Sequence, residues 1–235
     1  MTPRTKEQNE EIRLRRLVQI RKAAADVFLC KGPLLEIRDV AAQAGLGYGT
    51  VYHYYSNKGD LLHDLLLDAL ERAGGWLEAP LKDPAGRHFG LAAAADTGNS
   101  AAVDSRSGDR ETDAAAELSP VAAAVVRLLQ LWAEDHALYL LYKLAGEGFA
   151  SLHEARSAPL SAAFRREVLA PLAALLESGR AADRAAASHG NAAEPPYRLQ
   201  RAEMLLAALV GCASLSFRRG KLHEEARDIA QFLKL

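Results

Sequence analysis

Six side chains between residues 38 and 58 have the chemistry needed to contact a nucleic acid: Arg38, Tyr48, Thr50, Tyr52, His53 and Lys58. Hydroxyl, imidazole, guanidinium and ammonium groups are what proteins use to bind phosphate oxygens and base edges. Tyr48 and Thr50 are predicted to contact base edges from the start of a reader helix. Tyr52, His53 and Lys58 are predicted to bind phosphates. Arg38 is predicted to reach the DNA backbone or a base.

Two short helices joined by a tight turn are predicted to position these side chains. The first helix has one apolar face with i, i+3, i+4, i+7 spacing, formed by Ile37, Val40, Ala41 and Ala44. Gly45 supplies the permissive backbone that a tight turn between helices needs. In the second helix, three side chains are predicted to point back to a small core: Leu46, Val51 and Tyr55.

The motifs around this turn resemble the N-terminal domain of the TetR family of bacterial transcriptional regulators. The family pattern runs from Phe-x-x-x-Gly through Arg-Asp-Ile-Ala, Ala-Gly-Val and Thr-Leu-Tyr to Ser-Lys-Glu-x-Leu. This chain has the corresponding motifs in the same order: Phe28 to Gly32, Arg38-Asp39-Val40-Ala41, Ala44-Gly45-Leu46, Thr50-Val51-Tyr52 and Asn57-Lys58-Gly59-Asp60-Leu61. By motif, the resemblance covers roughly the first third of the chain; the remainder is similar only in its helical layout.

The chain departs from the family pattern at two helix starts. Leu34-Leu35-Glu36 stands where the family has a capping Thr or Ser, and Gly47 stands where it favours Ser before the reader helix. Gly at an N-cap costs only a few tenths of a kcal/mol relative to Ser or Asn. Both helices are therefore predicted to form with somewhat weaker caps.

The resemblance implies an all-α fold with a three-helix helix-turn-helix domain at residues 1–57. A larger helical domain at residues 58–235 would bind an effector and dimerise. The family's activity implies a homodimeric, sequence-specific regulator of a palindromic double-stranded DNA operator. It also implies that the protein is a repressor and that a small-molecule effector of unknown identity relieves the repression. The effector would move helix four, so that the two reader helices no longer match the spacing of the operator half-sites. Effector, operator and regulated genes stay open, as does the choice between repressor and activator.

The resemblance also assigns two sets of residues in the larger domain. The effector pocket is predicted to be lined by Trp76, Trp132, His136, Tyr139, Tyr142, Phe149 and Phe164. The dimer interface is predicted to use Leu205, Leu206, Leu209, Ala213, Phe217, Ile229, Phe232 and Leu233. The alternative for the first set is ordinary aromatic core, and for the second it is closure of the monomer core alone.

The charge of the chain is concentrated at its N-terminus. The 235 residues are 49% hydrophobic and 25% charged, with a formal net charge of -1. Among the first 22 residues, however, seven basic side chains lie against three acidic ones. A local basic stripe is the electrostatic footprint of phosphate binding, although a solvated helix face has the same composition.

Several classes of protein are disfavoured by what the sequence lacks. No apolar run approaches the roughly 18 to 20 residues of a membrane span, and Met1-Thr2-Pro3-Arg4 does not start a secretory signal. We therefore expect a cytoplasmic protein with no membrane partner. Cys30 and Cys212 lie far apart in helical patterns and are expected to act as small apolar residues. No cofactor, metal site or catalytic group is predicted.

The helical pattern is interrupted twice in the larger domain. The helical pattern collapses over residues 80–117, where the stretches 96–100 and 104–110 carry almost no apolar side chains, and we predict a disordered insertion at 80–117 between helices four and five. Ser119-Pro120 predicts the start of helix five. Pro171 predicts a kink in a long helix that follows. A second polar loop is predicted at residues 181–196.

Three competing functions fit parts of the sequence. An activator or constitutive repressor without an effector would have a fully packed core between helices five and seven. An all-α enzyme would need a Ser/His/Asp cluster, paired carboxylates, Cys/His metal spacing or a phosphate loop, and the sequence supports none of these. A dimerisation scaffold would have no use for an exposed face of Tyr48, Thr50 and Tyr52.

Overall fold

The computed structural model describes residues 5–77, 118–185 and 195–235, and these residues are predominantly helical. The α-helices are α1 (Lys6–Lys31), α2 (Ile37–Ala44), α3 (Tyr48–Tyr54), α4 (Lys58–Ala73), α5 (Pro120–Glu134), α6 (His136–Gly146), α7 (Glu154–Phe164), α8 (Ala170–Ala185), α9 (Pro195–Arg218) and α10 (Leu222–Phe232). The all-α prediction is confirmed. The insertion predicted at 80–117, and residues 186–194 of the predicted polar loop, lie outside the described residues. None of the described helices is long and apolar enough to cross a bilayer.

Local capping chemistry sets the helix ends where the sequence predicts them. Gly32 ends α1 with a left-handed φ of 59°. The Asn57 side chain accepts a 2.9 Å hydrogen bond from the backbone N–H of Asp60 at the start of α4. The Ser119 hydroxyl accepts a 3.0 Å bond from the N–H of Ala122 at the start of α5. Each bond satisfies an N–H group that has no partner inside the helix.

The two starts that depart from the family pattern behave differently. Gly47 offers α3 no side-chain cap. At α2, the Asp39 carboxylate reaches back and accepts a 3.3 Å hydrogen bond from the backbone N–H of Glu36. Both helices form, as predicted. The reader helix α3 is the one that lacks a side-chain cap.

Pro171 is accommodated by a widened helical turn between α7 and α8. Residues Arg165–Leu169 form a π-helical turn, in which the N–H of Ala170 bonds to the carbonyl of Arg165 five residues earlier. Proline has no N–H to donate, and in a regular helix its ring clashes with the carbonyl four residues before it. The irregularity predicted at Pro171 therefore takes the form of a π-helical turn.

Helix α4 connects the N-terminal helices to the C-terminal ones. It packs against α1 on one side and against α6 and α7 on the other. Its inner face, with Leu61, Leu65, Leu66 and Ala69, is at most 1% exposed. These residues belong to one hydrophobic cluster that runs from α1 to α10. The core is therefore continuous across the boundary predicted at residue 57, and α4 is in contact with helices on both sides of that boundary.

Candidate nucleic-acid interface

The turn between α2 and α3 is closed by Gly45. Its φ of 63° and ψ of 31° are left-handed, a conformation that glycine adopts without a steric penalty. The N–H of Leu46 bonds to the carbonyl of Ala41 at 2.9 Å, which completes a Schellman-type helix end. The side-chain amide of Gln19, on α1, donates a 2.6 Å bond to the carbonyl of Ala44. The turn predicted from Ala44-Gly45-Leu46 is confirmed.

Helix α3 is anchored through one face. Val51 is fully buried and Tyr55 is 5% exposed, while Leu46 is partly buried against the same core. The Tyr55 hydroxyl donates a 2.5 Å hydrogen bond to Asp64 on α4. The prediction that these three residues face inward is confirmed, and Tyr55 is a packing residue rather than part of the outer surface.

The opposite face of α3 presents aromatic side chains to solvent. Tyr48 is 53% exposed and Tyr52 is 42% exposed. Their rings are in contact, with centroids 4.6 Å apart and a tilt of 55°. A hydrogen bond with Tyr52 raises the pKa of the Tyr48 phenol. His53 is exposed beside them, whereas Thr50 is half-buried.

A cleft of about 700 Å³ brings four of the six predicted DNA-contacting residues together: Arg38, Tyr48, Tyr52 and Lys58. Its remaining wall comes from the start of α2 and the loop before α4, with Leu35, Glu36, Ile37, Ser56 and Asn57. Thr50 and His53 lie outside this lining. The cleft therefore combines two cations and two phenols at the outer edge of the reader helix.

Both cations of the cleft have a partner within the chain. The Arg38 guanidinium is 2.6 Å from the carboxylate of Glu36. The Lys58 ammonium donates a 2.8 Å hydrogen bond to the carbonyl of Pro33. A DNA phosphate would replace these contacts. Because Arg38, Glu36 and Lys58 are exposed, breaking the contacts costs little free energy. Sequence reasoning missed Glu36, although its position two residues before Arg38 was a visible signal.

The basic stripe of α1 is only partly available to a polyanion. Exposed pairs within the helix join Arg13 to Glu10 at 2.9 Å and Arg15 to Glu11 at 2.8 Å. Arg21 turns inward and is described below. Exposed ion pairs of this kind contribute little to stability, so DNA phosphates can still compete with the glutamates for Arg13 and Arg15.

A network of charged side chains lies behind α3 and ties α1 to α4. The Arg21 guanidinium on α1 is 2.8 Å from Asp64 and 2.5 Å from Asp68. Burial raises the pKa of Asp64, but hydrogen bonds from Arg21 and Tyr55 outweigh it, so the pKa lies below its usual value. Sequence reasoning missed this network. Its signal is the four-residue spacing of Asp60, Asp64, Asp68 and Arg72, which puts all four on one face of α4.

The same face of α4 is bound to the C-terminal helices near both of its ends. At its start, Asp60 pairs with Arg156 of α7. At its end, Arg72 lies 2.9 Å from the carboxylate of Asp135, which caps α6. A second link joins α6 directly to α1, since His136 lies 2.5 Å from Asp26. The position of α4 is thus set by polar contacts as well as by the core.

Replacing Asp64 by Asn is expected to lower the free energy of unfolding at pH 7 by about 1–2 kcal/mol. The change leaves the Tyr55 hydroxyl without its charged acceptor and removes one of the two carboxylates paired with Arg21, and the 38% exposure of Asp64 keeps the loss small. Because folding lowers the pKa of Asp64, its contribution is present above about pH 4 and is lost as the pH falls through the folded-state pKa.

Urea unfolding of both proteins between pH 7 and pH 3 measures this difference. The control is Glu11→Gln, which removes an exposed pair and should change stability by less than about 0.5 kcal/mol. A deficit of the Asp64 variant that persists undiminished at pH 3 would contradict the assignment.

Six of the seven predicted effector residues, all except Trp76, are linked by ring contacts across α5, α6, α7 and α9. Trp132 of α5 lies 4.9 Å from Tyr142 of α6, and Tyr142 lies 5.4 Å from Phe164 of α7, between ring centroids. Phe149, in the loop after α6, contacts Phe164 at 6.2 Å. Tyr139 stacks on Phe217 of α9, which also contacts His136. The Trp76 side chain lies outside the described part of the structure.

The predicted dimer residues mostly face the interior of their own chain. Four are at most 8% exposed: Leu206, Leu209, Ala213 and Ile229. Leu205, Phe217 and Leu233 are half-buried, and Phe232 alone is largely exposed, at 77%. The outer stripe of α9 instead carries Tyr197, Met204 and Leu215, each at least 59% exposed. Helix α9 is apolar on both faces, and the residues predicted from the sequence to form the dimer interface lie mostly on its inner face.

The fold and this surface define a class of protein before any comparison is made. The short helix α3 is held by its inner face on a helix-turn-helix frame and presents phenols and an imidazole, while α2 and α4 supply the cations Arg38 and Lys58 beside it. This arrangement is that of a DNA-binding regulator whose second helix enters the major groove.

Comparison with known proteins specifies the family. Residues 20–65 match the model of the bacterial regulatory proteins, tetR family. This match supports a TetR-type DNA-binding domain at residues 20–65, followed by the helical fold described above.

Solved structures of such regulators share the fold over nearly the whole chain. The fatty acid degradation regulator FadR from Bacillus halodurans has a TM-score of 0.55 and 16% identity, covering 92% of this chain and 93% of that one. A TetR-like regulator from Rhodococcus sp. RHA1 has a TM-score of 0.51 and 17% identity, covering 98% and 97%. FadR from Bacillus subtilis, in complex with stearoyl-CoA, has a TM-score of 0.50 and 17% identity, covering 92% and 96%. No curated protein sequence matches this chain.

Proposed function

We propose that the protein is a homodimeric repressor that a small-molecule effector releases from a palindromic operator in the cytoplasm. The observation that carries the proposal is the position of α4. Its first turn borders the cleft through Asn57 and Lys58, while Asp60 and Arg72 bind it to α7 and to the start of α6. A ligand that displaces α6 or α7 would therefore move the DNA-binding cleft.

A regulator of similar fold supports a small-molecule effector for this chain. FadR from Bacillus subtilis was solved in complex with stearoyl-CoA. For this chain, coupling between a ligand and the operator of about 1–3 kcal/mol would change operator affinity by 5- to 150-fold. That range is sufficient to switch a promoter.

The outer stripe of α9 supports a dimer. Tyr197, Met204 and Leu215, with Phe232 of α10, expose large apolar side chains, which single domains rarely gather on one surface. Pairing this stripe with its symmetry mate would bury it. A two-fold axis there suits half-sites about one helical turn, roughly 34–36 Å, apart on DNA.

Selection of double-stranded DNA from a random pool by the purified full-length protein tests the proposal, at a stated salt concentration. We expect a palindromic consensus, bound by a species of twice the monomer mass in light scattering. A metabolite that releases this DNA should leave the dimer intact. Recovery of unselected DNA would contradict sequence-specific binding, and monomers formed on release would contradict the mechanism.

Lys58→Ala is expected to weaken binding to operator and to scrambled DNA equally. A phosphate contact carries no sequence information, and each one lost reduces the slope of log K against log salt by about 0.9, or roughly 2 for a dimer. Fluorescence anisotropy between 50 and 200 mM salt measures both effects. Lys234→Ala, an exposed lysine at the other end of the chain, should leave the slope unchanged. A loss confined to the operator would show that Lys58 contacts bases instead.

A second function, regulation without any effector, is favoured by one observation. The aromatic cluster is closed, since Trp132, Tyr142, Phe149 and Phe164 are all at most 4% exposed. A constitutive repressor or an activator has no need of a cavity there. Operator binding that no small molecule alters would support this function.

A further inference from the structure

Two buried hydrogen-bonding groups in the aromatic cluster lack a partner. The indole Nε1 of Trp132 and the hydroxyl of Tyr142 make no hydrogen bond within the described structure. Trp132 is fully buried and Tyr142 is 2% exposed. Buried polar groups are almost always paired, because an unpaired one loses its bonds to water without replacement. Two such groups in one cluster therefore require an explanation.

The two groups belong to rings that touch. Trp132 on α5 and Tyr142 on α6 have centroids 4.9 Å apart and a tilt of 57°. The indole N–H only donates, and the phenol hydroxyl donates readily. An acceptor oxygen that reached either group would supply its missing partner.

The surroundings of the Tyr142 hydroxyl are apolar. Burial raises the pKa of the Tyr142 phenol. Phe164 packs against Tyr142 edge to face at 5.4 Å. An anion placed here would be buried without a counter-ion, which is strongly unfavourable. Aromatic walls favour a ligand with an aromatic body.

The backbone is irregular at the two phenylalanines that close the cluster. Phe149 has a left-handed φ of 54°, directly after Gly148 at 63°. Phe164 immediately precedes the π-helical turn at Arg165–Leu169. Strained backbone and π-helical turns concentrate at functional sites. Rotation of the Phe149 ring, in the loop between α6 and α7, would open a way in.

We propose that the effector is a compact, neutral aromatic molecule whose oxygen accepts hydrogen bonds from Tyr142 and Trp132. The proposal rests on the function proposed above and names the chemical class of its effector. Binding would separate α5, α6 and α7 around the ligand. Because Arg156 of α7 holds Asp60, that movement is transmitted to the first turn of α4.

Three probes of similar shape test the class of ligand by calorimetry on the full-length protein. Acetophenone is neutral and carries an acceptor, ethylbenzene lacks the acceptor, and benzoate carries a charge. We expect acetophenone to bind about tenfold more tightly than ethylbenzene, as one to two hydrogen bonds provide. Benzoate should bind more weakly than both. Equal affinity for acetophenone and ethylbenzene, preference for benzoate, or no binding of acetophenone would overturn the inference.

Tyr142→Phe keeps the ring and removes the unpaired hydroxyl. We expect its melting temperature to equal or exceed that of the wild type, because no native hydrogen bond is lost. Its affinity for acetophenone should fall about tenfold. Tyr54→Phe, a matched change on α3, should leave that affinity unchanged. A lower melting temperature for the Tyr142 variant would show that a buried water already satisfies the hydroxyl, and would overturn the inference, as would unchanged affinity.

Operator binding separates this inference from the function on which it rests. Acetophenone that binds through Tyr142 and also lowers operator affinity supports both. Binding that leaves operator affinity unchanged supports the ligand site and contradicts its role in release. Release by an anionic or purely aliphatic effector, with no binding of acetophenone, overturns the ligand class and leaves the repressor mechanism in place.

Discussion

Replacing Tyr48 by Ala should lower affinity for the selected operator by about 1–3 kcal/mol at each half-site, and roughly twice that for a dimer. Tyr48 is the more exposed of the two phenols in the cleft and lies at the first position of the reader helix, where side chains reach base edges. Fluorescence anisotropy with the operator and with a scrambled duplex measures the loss. Binding to the scrambled duplex should change little.

Two further variants show which part of the Tyr48 side chain contacts the operator and whether Thr50 contributes. Tyr48→Phe keeps the ring, so retention of affinity would assign the contact to an apolar surface such as a thymine methyl group, and loss would assign it to the hydroxyl. The second variant is Thr50→Ala. The sequence predicts that Thr50 contacts a base, so its removal should relax the preference for the operator, although Thr50 is half-buried in the structure. Equal losses on both duplexes for Tyr48→Ala would move Tyr48 to the phosphate contacts. Thermal unfolding should be unaffected, because the ring is mostly in water.

The parts of the fold that the sequence predicts well depend on chemistry within a few residues. The turn at Gly45 is closed, and the helices after Asn57 and Ser119 are capped, by hydrogen bonds between residues at most five positions apart. Such signals do not require knowledge of the tertiary structure. The inward placement of Val51 and Tyr55 was predictable for the same reason, since periodicity fixes which side chains share a helix face.

The parts that the sequence predicts poorly depend on distant partners. Arg21 lies 43 residues from Asp64. The spacing of the acidic residues along α4 shows that they share a face, but it does not show that Arg21 of α1 packs against that face. The proposed dimer surface shows a related difficulty, because α9 carries Leu206 and Leu209 on one face and Met204 and Leu215 on the other. Periodicity identifies both faces as apolar. Only packing against α6, α8 and α10 decides which one is left for a partner.

Removing the Phe149 side chain should destabilise the protein by about 3–5 kcal/mol, the usual cost of truncating a buried phenylalanine to alanine. Phe149 is 1% exposed and supports Phe164 in the closed cluster. The backbone conformation of Phe149 should also affect the stability of these variants. A left-handed φ of 54° costs a residue with a Cβ about 1–2 kcal/mol, and glycine does not bear this cost.

Phe149→Gly should therefore be more stable than Phe149→Ala, by about 1 kcal/mol, once the flexibility of glycine in the unfolded chain is subtracted. Leu152, three residues later in the same loop and also buried, provides the matched pair. Its φ is negative, so Leu152→Gly should be the less stable of its two variants. Urea unfolding of all four proteins gives both differences. If glycine is the worse substitution at both positions, the backbone of Phe149 is not strained, and the ring is held in the cluster by packing alone.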